Sequence, residues 1–129
     1  MPTWTNSDLD TIGAADEIDV ASRRGDGTFG RFVTIWVVRV GDDLFVRSFH
    51  GPDGHWYRAT QATGHGRIRV GGIEHDAAFE PAADADPHAI DAAYRAKYGR
   101  SSYVDAMVTP NATAATLRIV PNVNDKEQP

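Results

Sequence analysis

The run Phe32-Val33-Thr34-Ile35-Trp36-Val37-Val38-Arg39-Val40 constrains this chain more than any other stretch. β-Branched and aromatic side chains lose rotamer freedom in a helix but pack well on a pleated surface. Apolar residues occupy both faces for most of the run, which predicts a central strand covered on two sides. Gly41-Asp42-Asp43 then turns the chain into Leu44-Phe45-Val46-Arg47-Ser48-Phe49. Alternation at period two places Leu44, Val46 and Ser48 on one face of this strand and Phe45, Arg47 and Phe49 on the other.

Around this pair the remaining elements follow from pattern and punctuation. Ile18 and Val20 alternate with polar neighbours as a half-buried strand, and Arg24-Gly25-Asp26-Gly27 reads as a turn. Arg67 to Val70 and Ile73 to Phe79 form a hairpin across Gly71-Gly72, and Ala115 to Val120 is a last strand stopped by Pro121. Helices are predicted from an Asn6 or Ser7 cap to Ala15, over His55 to Thr63, from the cap Asp86 and Pro87 to Gly99, and over Ser101 to Val108. Six strands with helices between them predict an α+β fold, a small, mostly antiparallel six-stranded β-barrel with short flanking helices. The expected organisation is one domain over residues 1–121 and a flexible polar tail over 122–129.

Composition narrows the function classes. A length of 129 residues leaves room for one core. The net charge of −5 argues against a general nucleic-acid binder, which needs a basic face, although arginines do cluster between Arg23 and Arg69. No apolar run reaches the roughly 20 residues of a membrane span, and the first residues lack the basic and apolar regions of a signal peptide. The absence of cysteine excludes thiol chemistry and fits the cytoplasm. None of the five histidines, His50, His55, His65, His75 and His88, has the spacing of a zinc motif, so no metal is expected.

Arg23-Arg24-Gly25-Asp26-Gly27, Ile35-Trp36-Val37-Val38 and Leu44-Phe45-Val46-Arg47-Ser48 together resemble the opening of the flavin-binding split barrels, the pyridoxamine-phosphate-oxidase-like proteins. Trp56-Tyr57-Arg58-Ala59, Gln61-Ala62 and Arg67-Ile68-Arg69-Val70-Gly71-Gly72 resemble the deazaflavin-dependent nitroreductase branch. Over nearly its whole length the chain is similar to a bacterial family known as domain of unknown function 2255. The likeness is carried by Trp36-Val37-Val38-Arg39-Val40, Val46-Arg47-Ser48-Phe49, Trp56-Tyr57-Arg58 and Ala93-Tyr94-Arg95-Ala96-Lys97-Tyr98-Gly99. This resemblance implies a split β-barrel, FMN or a deazaflavin coenzyme, and a homodimer with the cofactor at the subunit interface. Two departures stand out. Asp26 occupies the turn where the nitroreductase branch has basic and hydroxyl groups, and Ala59 stands where that branch has Asn.

The candidate cofactor site is Arg47, Ser48, Trp56 and Arg58, with Trp36 beside them. Guanidinium forks and a hydroxyl suit a phosphate, and an indole walls off a planar ring. The plainer alternative makes Trp56 a core anchor and both arginines solvated. Candidate catalytic groups are Tyr98, Tyr94 and His50, as phenols and an imidazole that orient or protonate a substrate. Here the plainer account is an amphipathic helix burying its tyrosine rings, with Lys97 along its side and Tyr103 beyond it. Two functions remain open at this stage. One is a small flavin- or deazaflavin-dependent oxidoreductase acting on a small organic substrate. The other is a cofactor-free split barrel that binds a small ligand or performs acid–base chemistry.

Overall fold

The computed structural model describes residues 4–122. Its element order is α1 (Asn6–Ala14), β1 (Ile18–Ser22), β2 (Val33–Ile35), β3 (Val38–Val40), β4 (Asp43–Arg47), α2 (His55–Thr63), β5 (His65–Val70), β6 (Ile73–Pro81), α3 (Pro87–Tyr98), α4 (Pro110–Thr113) and β7 (Thr116–Pro121). Single 3-10 turns at Gly51–Asp53 and Val104–Met107 complete it. The strands form one antiparallel sheet in the order β2-β1-β5-β6-β7-β4-β3. The fold is α+β, with a curled seven-stranded sheet and a few helices.

Seven strands replace the expected six because Phe32 to Val40 is not one central strand. It divides at Trp36-Val37 into β2 and β3, and these two pieces are the opposite edges of the sheet. Three residue steps from Ile35 to Val38 span at most about 11 Å. The sheet must therefore curl until its edges adjoin. The apolar character of both faces of the run, which suggested a central position, arises instead from this seam and from α3 outside it.

Two apolar clusters result. Inside the curl, Leu9 and Ile12 of α1 pack on Ile18, Val20, Leu44, Val46, Ile68, Leu117 and Ile119. Outside it, Ile90, Tyr94 and Tyr98 of α3 cover Val38 and Phe45, with Val104 and Met107 closing the layer. Alternation along β4 thus sends Leu44 and Val46 inward and Phe45 and Arg47 under α3.

Caps and turns explain where the elements stop. Thr5, rather than Asn6 or Ser7, caps α1 by accepting the Asp8 N–H. Asp86 accepts the His88 N–H and Pro87 opens α3, as the sequence predicts. The β5–β6 hairpin turns through Gly71 and Gly72 at φ +58° and +84°, a left-handed pair that glycine adopts without strain. Asn122, placed by sequence in the polar tail, is buried, and its N–H donates to the Asp76 carbonyl at 3.0 Å. Residues 123–129 of that tail lie outside the described residues.

At the seam Val37 lies in no strand, and α3 supplies its partners. The Val37 N–H donates to the Tyr98 hydroxyl at 3.3 Å, that hydroxyl donates to the Asp16 carbonyl at 2.6 Å, and Lys97 Nζ donates to the Val37 carbonyl at 2.7 Å. Burial first, with nearby acids adding to it, pushes the Tyr98 phenol up to about 12, so it stays protonated in this role. Tyr98→Phe removes one hydroxyl and leaves a buried N–H and a carbonyl short of a partner. It is expected to cost about 1–3 kcal/mol in urea unfolding; unchanged stability would show that the seam is held by something else.

Candidate functional site

Two cavities adjoin between α2 and the β1–β2 side of the sheet. The first, about 450 Å³, is lined by Arg23, Arg24, Arg31, His55, Trp56 and Thr63 together with smaller residues of β1, β2 and α2. Among the described residues no acidic side chain lines it, although the protein as a whole is acidic. The second, about 370 Å³, is apolar and lined by Val33, Thr34, Ile35, Trp36, Phe49, His50, Trp56, Tyr103 and Met107, with Arg47 in its wall. Val33 and Trp56 belong to both. The indole of Trp56 packs against the inner core, so the shared wall is positioned by the fold.

The cationic chamber is built by a hairpin. Arg23 bridges Phe29, and the Arg24 N–H donates to the Thr28 carbonyl at 2.7 Å, which brings Arg31 back alongside β1. The turn is braced by its own side chains. Asp26 accepts from the Thr28 hydroxyl at 2.6 Å and the Thr28 N–H at 3.0 Å, while Arg24 Nη1 reaches the Phe29 carbonyl at 2.9 Å. Those hydrogen bonds from Thr28 hold the Asp26 carboxyl below its usual range.

In the apolar chamber, Trp36 stacks face to face on Tyr98 with centroids 4.0 Å apart. Phe49, 47% exposed, meets Tyr103, 64% exposed, edge to face at the chamber's mouth. The Thr34 hydroxyl is spent on Asp19 at 2.7 Å. Because β2 is an edge strand, its outer backbone groups are not paired by another strand.

The geometry brings part of the expected site together, since Arg47 shares the wall of the apolar chamber with three other candidates. Trp36, Trp56 and His50 do line one chamber. Arg47 is only 1% exposed, and its guanidinium makes four hydrogen bonds. It pairs with Asp91 and donates to the Met107 carbonyl at 2.9 Å, to Thr116 Oγ1 at 2.9 Å and to the Pro87 carbonyl at 3.3 Å. A residue alternating with the buried Phe45 lies under α3, and only that helix makes its burial evident. Ser48 is also buried, packed on Gly54, where any Cβ would fall 2.1 Å from its hydroxyl. Arg58 is exposed on α2 and lines neither chamber. Tyr94 is fully buried, and desolvation raises its phenol well above the ordinary value. Among the described residues no three of His, Asp and Glu gather to hold a metal ion, and no helix is long and apolar enough to cross a membrane.

Sequence reasoning missed Arg31, His55 and Phe49 as lining residues. The available signal was the hairpin itself, since arginines on both sides of the Gly25-to-Gly30 turn must meet at one end of the sheet.

Residues 8–119 match the family model described as "Uncharacterized protein conserved in bacteria (DUF2255)". Solved structures share the fold at low identity. A FAD-binding protein from Mesorhizobium loti superposes with a TM-score of 0.59 at 16% identity, over 93% of this chain and 91% of its own. An F420 reductase gives 0.50 at 19%, over 88% and 92%. A FAD and heme binding protein from Mycobacterium smegmatis gives 0.52 at 22%, over 94% and 67%. No curated protein matches the chain.

The buried arginine generates a stability prediction. Removing one partner of a buried pair strands the other charge, at a cost of about 3–5 kcal/mol. Asp91 is 28% exposed at its side chain, so Asp91→Ala should fall near the low end, about 3 kcal/mol. Arg47→Met, which leaves a partly solvated carboxylate, should cost less. Equal costs in urea unfolding would contradict this account of the pair.

Proposed function

We propose that this chain, which belongs to the DUF2255 family, is a small oxidoreductase that uses FMN or a deazaflavin coenzyme on a small organic substrate. The observation that carries this reading is the pair of chambers sharing Trp56, one cationic and one apolar. A planar ring with a charged tail needs both environments side by side, and cavities of a few hundred Å³ are the size that small ligands occupy. The residues present fit such a group. Trp36, Trp56 and Phe49 supply flat apolar walls, the unpaired edge of β2 offers backbone donors and acceptors to a ring's polar rim, and the arginine chamber accepts the anionic tail. When bound, the ring would supply the two-electron chemistry, and the protein would orient it and exclude water. The likeness in fold to a FAD-binding protein and an F420 reductase supports the same reading. It is the cytoplasmic setting of such coenzymes that the cysteine-free chain suits.

Titration of wild type with FMN and with a deazaflavin, read by tryptophan fluorescence, tests this directly. Quenching by at least one is expected. Tyr103→Ala, which removes an exposed ring from the mouth of the apolar chamber, should weaken binding by about fivefold to tenfold with little change in stability. Absence of binding by either coenzyme would leave the cofactor-free reading.

The same reading includes a two-fold homodimer. Phe49 and Tyr103 leave apolar surface at the chamber mouth that a second copy would cover. Light scattering at micromolar concentration should give twice the monomer mass of 14.0 kDa. A monomer would remove the dimer from the proposal.

A further inference from the structure

Within the cationic chamber, the three arginines are not equivalent. Arg24 braces the turn, with Nη1 on Thr28 and on the Phe29 carbonyl. Arg23 also lines a small neighbouring pocket with Arg67, Asp76 and Asn122, so an acid stands near its other side. Arg31 and His55 differ from both. Each is exposed, each lines the large chamber, and neither has a side-chain hydrogen bond or ion pair with another described residue. They approach from separate elements, Arg31 from the segment entering β2 and His55 from the first residue of α2.

We infer that Arg31 and His55 form a phosphate-reading pair, which recognises a doubly charged terminal phosphate on the ligand. The turn at Gly25-Asp26-Gly27 then serves as scaffold and not as the grip itself. Two observations and one chemical rule converge on this. Among the described residues the chamber has no acidic lining to compensate its charge. Asp26, the one acid in the turn, has its Oδ1 taken twice by Thr28 and stays ionised beside Arg24. A single guanidinium suits a monoanion, whereas a guanidinium with an imidazole beside it can meet two oxygens of one phosphate from different directions.

The choice of ligand rests on the flavin reading, but the site itself does not, and the test separates the two. Riboflavin and FMN share a ring and differ in the terminal phosphate, so the ratio of their affinities isolates this subsite. In wild type, FMN should bind about tenfold tighter than riboflavin or better. Arg31→Gln and His55→Gln should each bring the ratio close to one while leaving riboflavin affinity unchanged. Arg24→Gln should lower thermal stability and change the ratio less than Arg31→Gln does. Equal wild-type affinities for FMN and riboflavin, or a ratio indifferent to Arg31→Gln, would overturn the inference while leaving the flavin reading intact. Should neither flavin bind, inorganic pyrophosphate decides. Pyrophosphate binding by wild type that is lost in Arg31→Gln sustains the phosphate-reading pair without the flavin; no pyrophosphate binding overturns both.

Discussion

A sheet whose two edges are consecutive in sequence has to curl, and the residue at the crossing cannot be paired by either edge. In this protein that residue is Val37, and its backbone N–H and carbonyl are taken up by Tyr98 and Lys97 from the end of α3. A buried, unmade backbone hydrogen bond costs more than a made one contributes, so the seam and the helix depend on each other. The same tyrosine stacks on Trp36, the other residue of the crossing. One side chain therefore fixes the backbone at the seam, the ring beside it and the docking of the helix. Burial depresses the Lys97 ammonium somewhat, but Asp16 opposes that shift, and its contact with the Val37 carbonyl keeps the proton useful.

The other end of α3 is held by charge. Arg47 projects from β4 beneath the helix and gathers Asp91, the Pro87 and Met107 carbonyls and Thr116 Oγ1. Those partners come from three separate parts of the chain, so the arginine ties the first turns of α3, the 3-10 turn before α4 and the start of β7 to one strand. Such a cluster adds geometric specification more surely than net stability, because desolvating the guanidinium offsets much of the attraction. What it fixes is the register of α3, and through α3 the position of Tyr98 at the seam.

Legibility in the sequence followed the range of the physics involved. The Asp86-Pro87 start of α3 and the Gly71-Gly72 hairpin are local signals, and both stand where composition alone puts them. Alternation along Leu44 to Arg47 was also readable, since pleating alone dictates it. The division of Phe32 to Val40 was not, because the side chains that partner the Val37 backbone lie 61 and 60 residues away in α3. The burial of Arg47 was hidden for the same reason, since its partners on α3 lie 40 and 44 residues away. The resemblance in the sequence identified the right kind of fold and the tryptophans of the apolar chamber; of the two arginines it pointed to, the fold engages Arg47 beneath α3 and leaves Arg58 exposed outside both chambers.

Proton chemistry at the apolar chamber is narrowed by the same packing. Tyr94 and Tyr98 both carry phenols raised by burial, one enclosed beneath α3 and the other committed to backbone at the seam. Thr34 is bonded to Asp19, and Arg47 is held by its four partners. Of the ionisable side chains lining the chamber, this leaves His50 and Tyr103, at its mouth and in contact with Phe49. The position of His50 is not loose, since its carbonyl takes the Asn111 amide and the next residue, Gly51, sits at φ +70° against that same side chain. Any Cβ at Gly51 would lie 2.3 Å from Asn111. A glycine at that point therefore sets the loop, and the loop presents the imidazole to whatever occupies the chamber.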